Sequence, residues 1–186
     1  MDEKPVVAVL VGSLRRAAWS LKVAHALIER APALDCRIVP IGELPLYNED
    51  LDGAPPQPWL RFRDQMKAAG AVLFVTPEYN RSIPGGLKNA IDVGSRPYGQ
   101  SVFDGLPAAV VSVTPYQLGA FGANHALRQT FVFLNVLALQ QPEAYVANAG
   151  ELFDGNGKLK NQETGKFFTQ FMEQFARWIA IARKSD

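Results

Sequence analysis

Cysteine is nearly missing from this sequence: Cys36 stands alone in 186 residues. An intramolecular disulfide, a Cys-rich zinc site and a protein-ligated iron–sulfur cluster each need more thiols, so all three are excluded. Histidine is almost as scarce. His25 and His125 are the two present, and their separation in sequence speaks against a His-based metal site. An excess of one charge is also lacking, since 19 Lys and Arg face 18 Asp and Glu for a formal charge of +1. Nucleic-acid binding usually needs a basic face, so near-neutrality argues against it as the main task. No apolar run approaches the ~20 residues of a membrane span. Asp2, Glu3 and Lys4 lead straight into a short apolar run, which is not the order of a secretory signal. The expectation is a soluble, reduced, cytoplasmic protein without a membrane partner.

What is present is a chain 48% hydrophobic, long enough for one full α/β domain and too short for two ordinary ones. A single domain over residues 1–186 is expected. Residues 5–11 (PVVAVLV), 71–75 (AVLFV) and 107–113 (PAAVVSV) are short apolar runs suited to strands buried on both faces. A second strand is expected over 37–41, although Pro40 weakens it, and a fifth over 136–139. Between them lie helical patterns. Leu21, Ala24, Leu27, Ile28 and Ala31 share a face, as do Trp59, Phe62, Met66 and Ala69. Leu87, Ala90 and Ile91 follow, then Leu127, Phe131 and Leu134. A last helix carries Phe168, Phe171, Phe175, Trp178 and Ala182. Residues 42–58, rich in Pro and Gly, read as a long loop with a functional or interface role. Strands alternating with helices imply a parallel sheet covered on both faces. Five strands at this length suggest a flavodoxin-like three-layer sandwich in the order 2-1-3-4-5.

Ligands of such sheets bind at the carboxyl ends of the strands, at the switch point. The loop after the first strand is Gly12-Ser13-Leu14-Arg15-Arg16-Ala17-Ala18-Trp19-Ser20. Its hydroxyls, the Arg15 guanidinium and a helix start suit a terminal monophosphate. It lacks both the Gly-Lys-Ser/Thr ending of a P-loop and the G-x-G-x-x-G of a dinucleotide fold. The same residues also suit a solvated turn in which Ser13 caps the helix. The loop after the third strand holds Pro77, Glu78, Tyr79 and Asn80, stiffened by Pro77 and Pro84. Tyr79 can cover a flat ligand and Asn80 offers donor and acceptor; a rigid turn with Ser82 near a helix cap is the plainer reading.

Gly12-Ser13-Leu14-Arg15, followed by Pro77-Glu78-Tyr79-Asn80-x-Ser82-x-Pro84-Gly85-x-Leu87-Lys88-Asn89-Ala90-Ile91-Asp92, resembles the NAD(P)H-dependent FMN reductase family. Leu44-Pro45-Leu46-Tyr47-Asn48-x-Asp50 is similar to that family's loop at the subunit edge. The resemblance covers nearly the whole chain. It implies a flavodoxin-like fold with non-covalent FMN, NADPH or NADH as donor, and quinones or similar small-molecule electron acceptors, possible ones being chromate, azo compounds and free flavin. Ser13, Arg15 and Ser20 would hold the FMN phosphate. Pro77, Glu78, Tyr79 and Asn80 would border the ring, and Thr114, Tyr116 and Gly119 would cover its other edge. Arg81 and Tyr47 would meet substrate, and a homodimer or homotetramer is implied, with Tyr47, Arg96, Pro97 and Tyr98 at the contact.

The chain departs from the family pattern in two loops. Ala18 and Ser20 stand where the family commonly has Ser and Asn, and Tyr116 and Ala120 replace glycines of the third loop. A tyrosine there can stack on the ring, narrow the acceptor pocket or obstruct the cofactor, and loss of flavin binding is one alternative. An electron-carrier flavodoxin is another, but flavodoxins are usually strongly acidic. A receiver-type signalling domain would need acids where Gly12-Ser13 and Thr76-Pro77 stand. No catalytic side chain is assigned, because flavin chemistry needs none for hydride transfer. Cys36 reads as a structural thiol, His25 as a surface or packing residue, and His125 as a helix cap, with a role at the ligand edge as the alternative.

Overall fold

Side chains alternate across a strand, and here both faces are covered. Strand β1 (Val6–Val11) sends Val7, Val9 and Val11 into one apolar cluster and Ala8 and Leu10 into another. Strands β3 (Ala71–Thr76) and β4 (Pro107–Val113) divide in the same way, Leu73 and Val111 to one side, Phe74 and Val110 to the other. This double burial is why the runs show no polar alternation. The structure is a computed structural model describing residues 3–183; Asp2, read above as part of the charged start, lies outside them.

Helices α1 (Trp19–Ile28) and α6 (Gln162–Ala182) cover the first face. Helices α2 (Gln57–Lys67), α3 (Gly85–Gly94) and α4 (Phe121–Leu134) cover the second, where Phe74 packs between Phe103 and Phe131. With β2 (Asp35–Ile38) and β5 (Leu137–Ala138), the parallel strands run β2-β1-β3-β4-β5, the expected order. A sixth strand, β6 (Ala144–Val146), also pairs with β4. It joins the carboxyl half of β4 at Val111–Val113, whereas β5 joins the amino end at Pro107 and Ala108. The fifth lane of the sheet is thus two short strands in line, parted by a stretch containing Pro142, which has no N–H to donate. A short helix, α5 (Ala149–Leu152), follows β6.

Three boundaries differ from the sequence reading. Strand β2 ends at Ile38, so Pro40 lies outside it. The buried stripe of α6 passes from Phe175 to Ile179 rather than Trp178. Trp178 is half-buried at the sheet edge and donates Nε1–H to the Leu137 carbonyl at 2.7 Å. The 42–58 loop contains a 3₁₀ turn at Glu49–Leu51 and is tightly held. Asn89 accepts from the Tyr47 N–H at 2.8 Å and donates to the Leu44 and Pro45 carbonyls, both at 3.1 Å.

Register sets the position of the site. Val11 pairs with Val75 and Thr76 with Ser112, so β1, β3 and β4 end at one level. The first loop leaves β1 hard against β3. A Cβ on Gly12 would lie 2.6 Å from Thr76 Oγ1, so only glycine permits this crossing.

Candidate active site

Loops following β1, β3 and β4 enclose a cavity of about 490 Å³. It brings together Ser13, Arg15, Ser20, Pro77, Glu78, Tyr79, Asn80, Arg81, Thr114 and Tyr116. Gly119 and Tyr47 fall outside its lining. Gly119 is buried behind the wall, where its carbonyl accepts from Ser112 Oγ at 2.7 Å. Tyr47 lies on a separate groove of about 710 Å³ beside α3 and α4, away from the strand ends. Trp19, Leu118 and Ala120 line the cavity as well. Trp19 and Leu118 are lining residues to which the sequence reading gave no role; Trp19 also packs against the first apolar cluster, so its pattern reads as core.

One end of the cavity is made for an anion. Helix α1 starts at Trp19 with Ala18 at its cap position, no side-chain cap bond and no acid in its first turn. Ser13 is therefore not the cap; its hydroxyl instead accepts from the Arg15 N–H at 3.3 Å. Ser20 is fully buried in that first turn, and its Oγ has no hydrogen-bond partner. A buried hydroxyl without a partner costs about 1–3 kcal/mol, unless a ligand satisfies it. Uncapped N–H groups, two serine hydroxyls and the exposed Arg15 guanidinium fit a monophosphate.

The loop after β3 is a tight hairpin. Tyr79 and Ser82 exchange backbone hydrogen bonds of 2.9 and 3.0 Å, with Asn80 at φ 51° and Arg81 at φ 64°. Such a turn normally takes Asn-Gly, so Arg81 sits in a left-handed conformation that costs a side-chain-bearing residue roughly 1–2 kcal/mol. Glu78 holds it there. One carboxylate oxygen accepts from Arg81 Nη1 at 3.1 Å, and the other from the Ala123 N–H in the first turn of α4, also at 3.1 Å. A Cβ on Gly122 would lie 2.8 Å from that second oxygen, so glycine makes room for the carboxylate. The Glu78 side chain thus ties two loops together, a task its sequence position did not reveal.

The third loop is pinned from behind. Asn148 N–H donates to the Tyr116 carbonyl and Ala149 N–H to the Thr114 carbonyl, each at 3.1 Å. Asn124, fully buried, links Ser112 Oγ (3.3 Å) to Arg128 Nε (2.9 Å). The Tyr116 ring is 76% exposed and leaves the cavity open. His125 does not cap α4, whose cap is Ala120 in the left-handed region. It meets Tyr145 Oη at 2.9 Å, and Tyr145 donates to Glu143. Burial, with the Glu143 carboxylate, pushes the Tyr145 phenol up to about 12. Cys36 lies half-buried in β2, and burial with the neighbouring Asp35 charge pushes its thiol up to about 11. It is a protonated, unreactive thiol at neutral pH. Among the described residues no group of three or more His, Cys, Asp or Glu can hold a metal, and no helix is long and apolar enough to cross a membrane.

A parallel sheet in this order, with one strand-end cavity and an anion-ready helix start, defines a flavodoxin-like mononucleotide-binding protein. Comparison with known proteins narrows the class. Residues 5–151 match the model of the NADPH-dependent FMN reductase family. A quinone reductase of Pseudomonas putida is 58% identical over 98% of this chain and 99% of that protein. A 2-hydroxy-1,4-benzoquinone reductase of Burkholderia is 41% identical over 95% of this chain and 97% of its own length. Among solved structures, FerB, a flavoenzyme NAD(P)H:acceptor oxidoreductase of Paracoccus denitrificans, superposes with a TM-score of 0.90 at 38% identity. It covers 96% of this chain and 98% of that one. The chain belongs to the NADPH-dependent FMN reductase family. It is an FMN-dependent oxidoreductase fed by NAD(P)H.

Proposed function

We propose that this enzyme reduces quinones at the strand-end cavity, in a cytoplasmic setting, as a single-domain subunit. The observation that carries the reading is the buried, partnerless Ser20 hydroxyl at the uncapped start of α1. Ser20, Ser13, Arg15 and the first-turn N–H groups would bind the FMN phosphate. Pro77, Glu78, Tyr79 and Asn80 would present backbone to the ring, where the Asn80 and Arg81 N–H groups take no partner among the described residues. Backbone of Thr114, Tyr116 and Gly119 would border the opposite edge. The chemistry FMN supplies when bound is hydride relay in two half-reactions, with the net change NAD(P)H + H⁺ + quinone to NAD(P)⁺ + hydroquinone. Donor and acceptor would alternate at one mouth, giving ping-pong kinetics. Arg81, 74% exposed in its side chain and held in a costly conformation at that mouth, is placed to meet donor phosphates or an anionic acceptor.

Quinones as acceptors are supported by the names of the relatives above. Assembly into a homodimer or homotetramer is supported by the face around Tyr47. Phe133 is 86% exposed there and Tyr98 85%, beside the charged Lys88, Asp92 and Arg96. Exposed apolar groups gathered on one face commonly mark a protein contact. Through such a contact Tyr47 would reach substrate at a partner's cavity.

The test is a visible spectrum of protein saturated with FMN and then gel-filtered. Flavin bands should persist, bleach with anaerobic NADPH and return with a quinone. Arg15→Ala should weaken FMN binding by about 1.5–3 kcal/mol, the value of a charge-assisted hydrogen bond. A colourless wild-type protein after filtration would overturn the reading.

A further inference from the structure

The cavity mouth carries a feature that cofactor binding does not use. Tyr116 is 76% exposed, Leu118 61% and Tyr79 46%, and all three line the same cavity. Two rings and a leucine held in water around one opening lose hydration free energy unless something covers them. Their backbones are not free to withdraw them. The Tyr79 N–H and carbonyl are both bonded to Ser82, and the Tyr116 N–H and carbonyl to Thr114 Oγ1 and Asn148. Leu118 is fixed by its carbonyl, which accepts from Phe121 N–H at 3.1 Å. Neither tyrosine ring stacks on another ring among the described residues. The two rings therefore stand on opposite, rigid loops with their faces open, and such preorganised surfaces bind with little entropy loss.

We infer that Tyr116, with Tyr79 and Leu118, selects acceptors by shape: flat, multi-ring quinones are favoured over compact inorganic anions. This rests on the flavin-reductase reading above and names the acceptor class for the same cavity. A two-ring quinone presents an apolar face to an aromatic side chain and gains from stacking and from the surface it covers. Chromate or ferricyanide has no such face and carries a hydration shell that an apolar rim strips without return. Arg81 alone favours anions, so the rim and the guanidinium pull selectivity in opposite directions. Tyr116 occupies a position where the family pattern has glycine, so the ring is a property of this chain. Its backbone can serve the cofactor while its side chain, exposed at the mouth, serves the acceptor.

The test is steady-state kinetics of FMN-loaded enzyme with NADPH and either 1,4-naphthoquinone or ferricyanide. Wild type, Tyr116→Ala and Tyr116→Phe are compared. The ratio of kcat/KM for naphthoquinone to that for ferricyanide should fall about fivefold in the alanine variant, the size of one aromatic contact. The fall should reside in KM for the quinone, and phenylalanine should restore the ratio. Equal losses with both acceptors, accompanied by weaker FMN binding in a fluorescence titration, would assign the ring to the cofactor and overturn the inference. An unchanged ratio would overturn it as well. Failure of the wild type to oxidise NADPH with any acceptor would instead remove the flavin reading beneath it.

Discussion

Single residues shape the end of the cavity proposed to take the phosphate. Ala18 holds the cap position of α1, and it is buried at the cavity wall without offering an oxygen. Ser at an N-cap accepts from the N–H of the second or third helical residue and is worth about 1 kcal/mol over Ala. Ala18→Ser should therefore raise the unfolding free energy by about 1 kcal/mol, read as a higher urea midpoint with an unchanged slope, and tighten FMN binding a few-fold by adding a donor. A lower midpoint would show that the added hydroxyl is buried without a partner. Ala120 is the second such departure. It adopts φ 57° where the family pattern has glycine, so it stores strain next to the third loop. Both residues were visible in the sequence as departures, but their consequences were not. Only the structure shows that one sits at a cap and the other in the left-handed region.

Among the elements, Glu78 joins the hairpin after β3 to the start of α4. Its side chain is largely buried, and its charge lies in the first turn of that helix, where a carboxylate is favoured. Arg81, being mostly exposed, contributes little to stability through its ion pair. Glu78→Ala strands the Ala123 N–H and should cost about 2 kcal/mol in urea unfolding. Glu78→Gln keeps an acceptor for that N–H and should cost about half as much. Equal losses for the two variants would assign the effect to charge alone. The sequence reading placed Glu78 at the flavin border by resemblance, together with its neighbours. The bond to Ala123 spans 45 residues, and no local pattern encodes it. The split fifth lane is similar: β6 is three residues long, too short for periodicity to register, and its place is set by pairing with β4.

For the whole molecule, the titrating groups predict an alkaline limit. The Cys36 thiol is raised from 9.0 to about 11, and the Tyr145 phenol from 10.0 to about 12, both mainly by burial. A raised folded-state value means that the folded chain keeps its proton longer than the unfolded one. The stability this contributes is complete below pH 9 and is lost as pH rises through the folded values. Unfolding free energy should thus decline between pH 9 and 12, and Cys36→Ser should make the decline shallower over its lower half. A Cys36→Ser curve parallel to wild type would show that the thiol takes no part. The sequence by itself determined the layered α/β fold, the strand order and the loops that line the strand-end cavity. Buried parallel strands need unbroken apolar runs, and strand-end loops need Gly, Pro and small polar residues, so both are written locally. Only the tertiary structure decided that Ser20 is orphaned, that Glu78 braces Arg81 and α4, that Tyr116 faces outward and that Tyr47 belongs to another face. Each of these depends on which distant segment lies within hydrogen-bond or packing reach, and that distance exists only once the chain has folded.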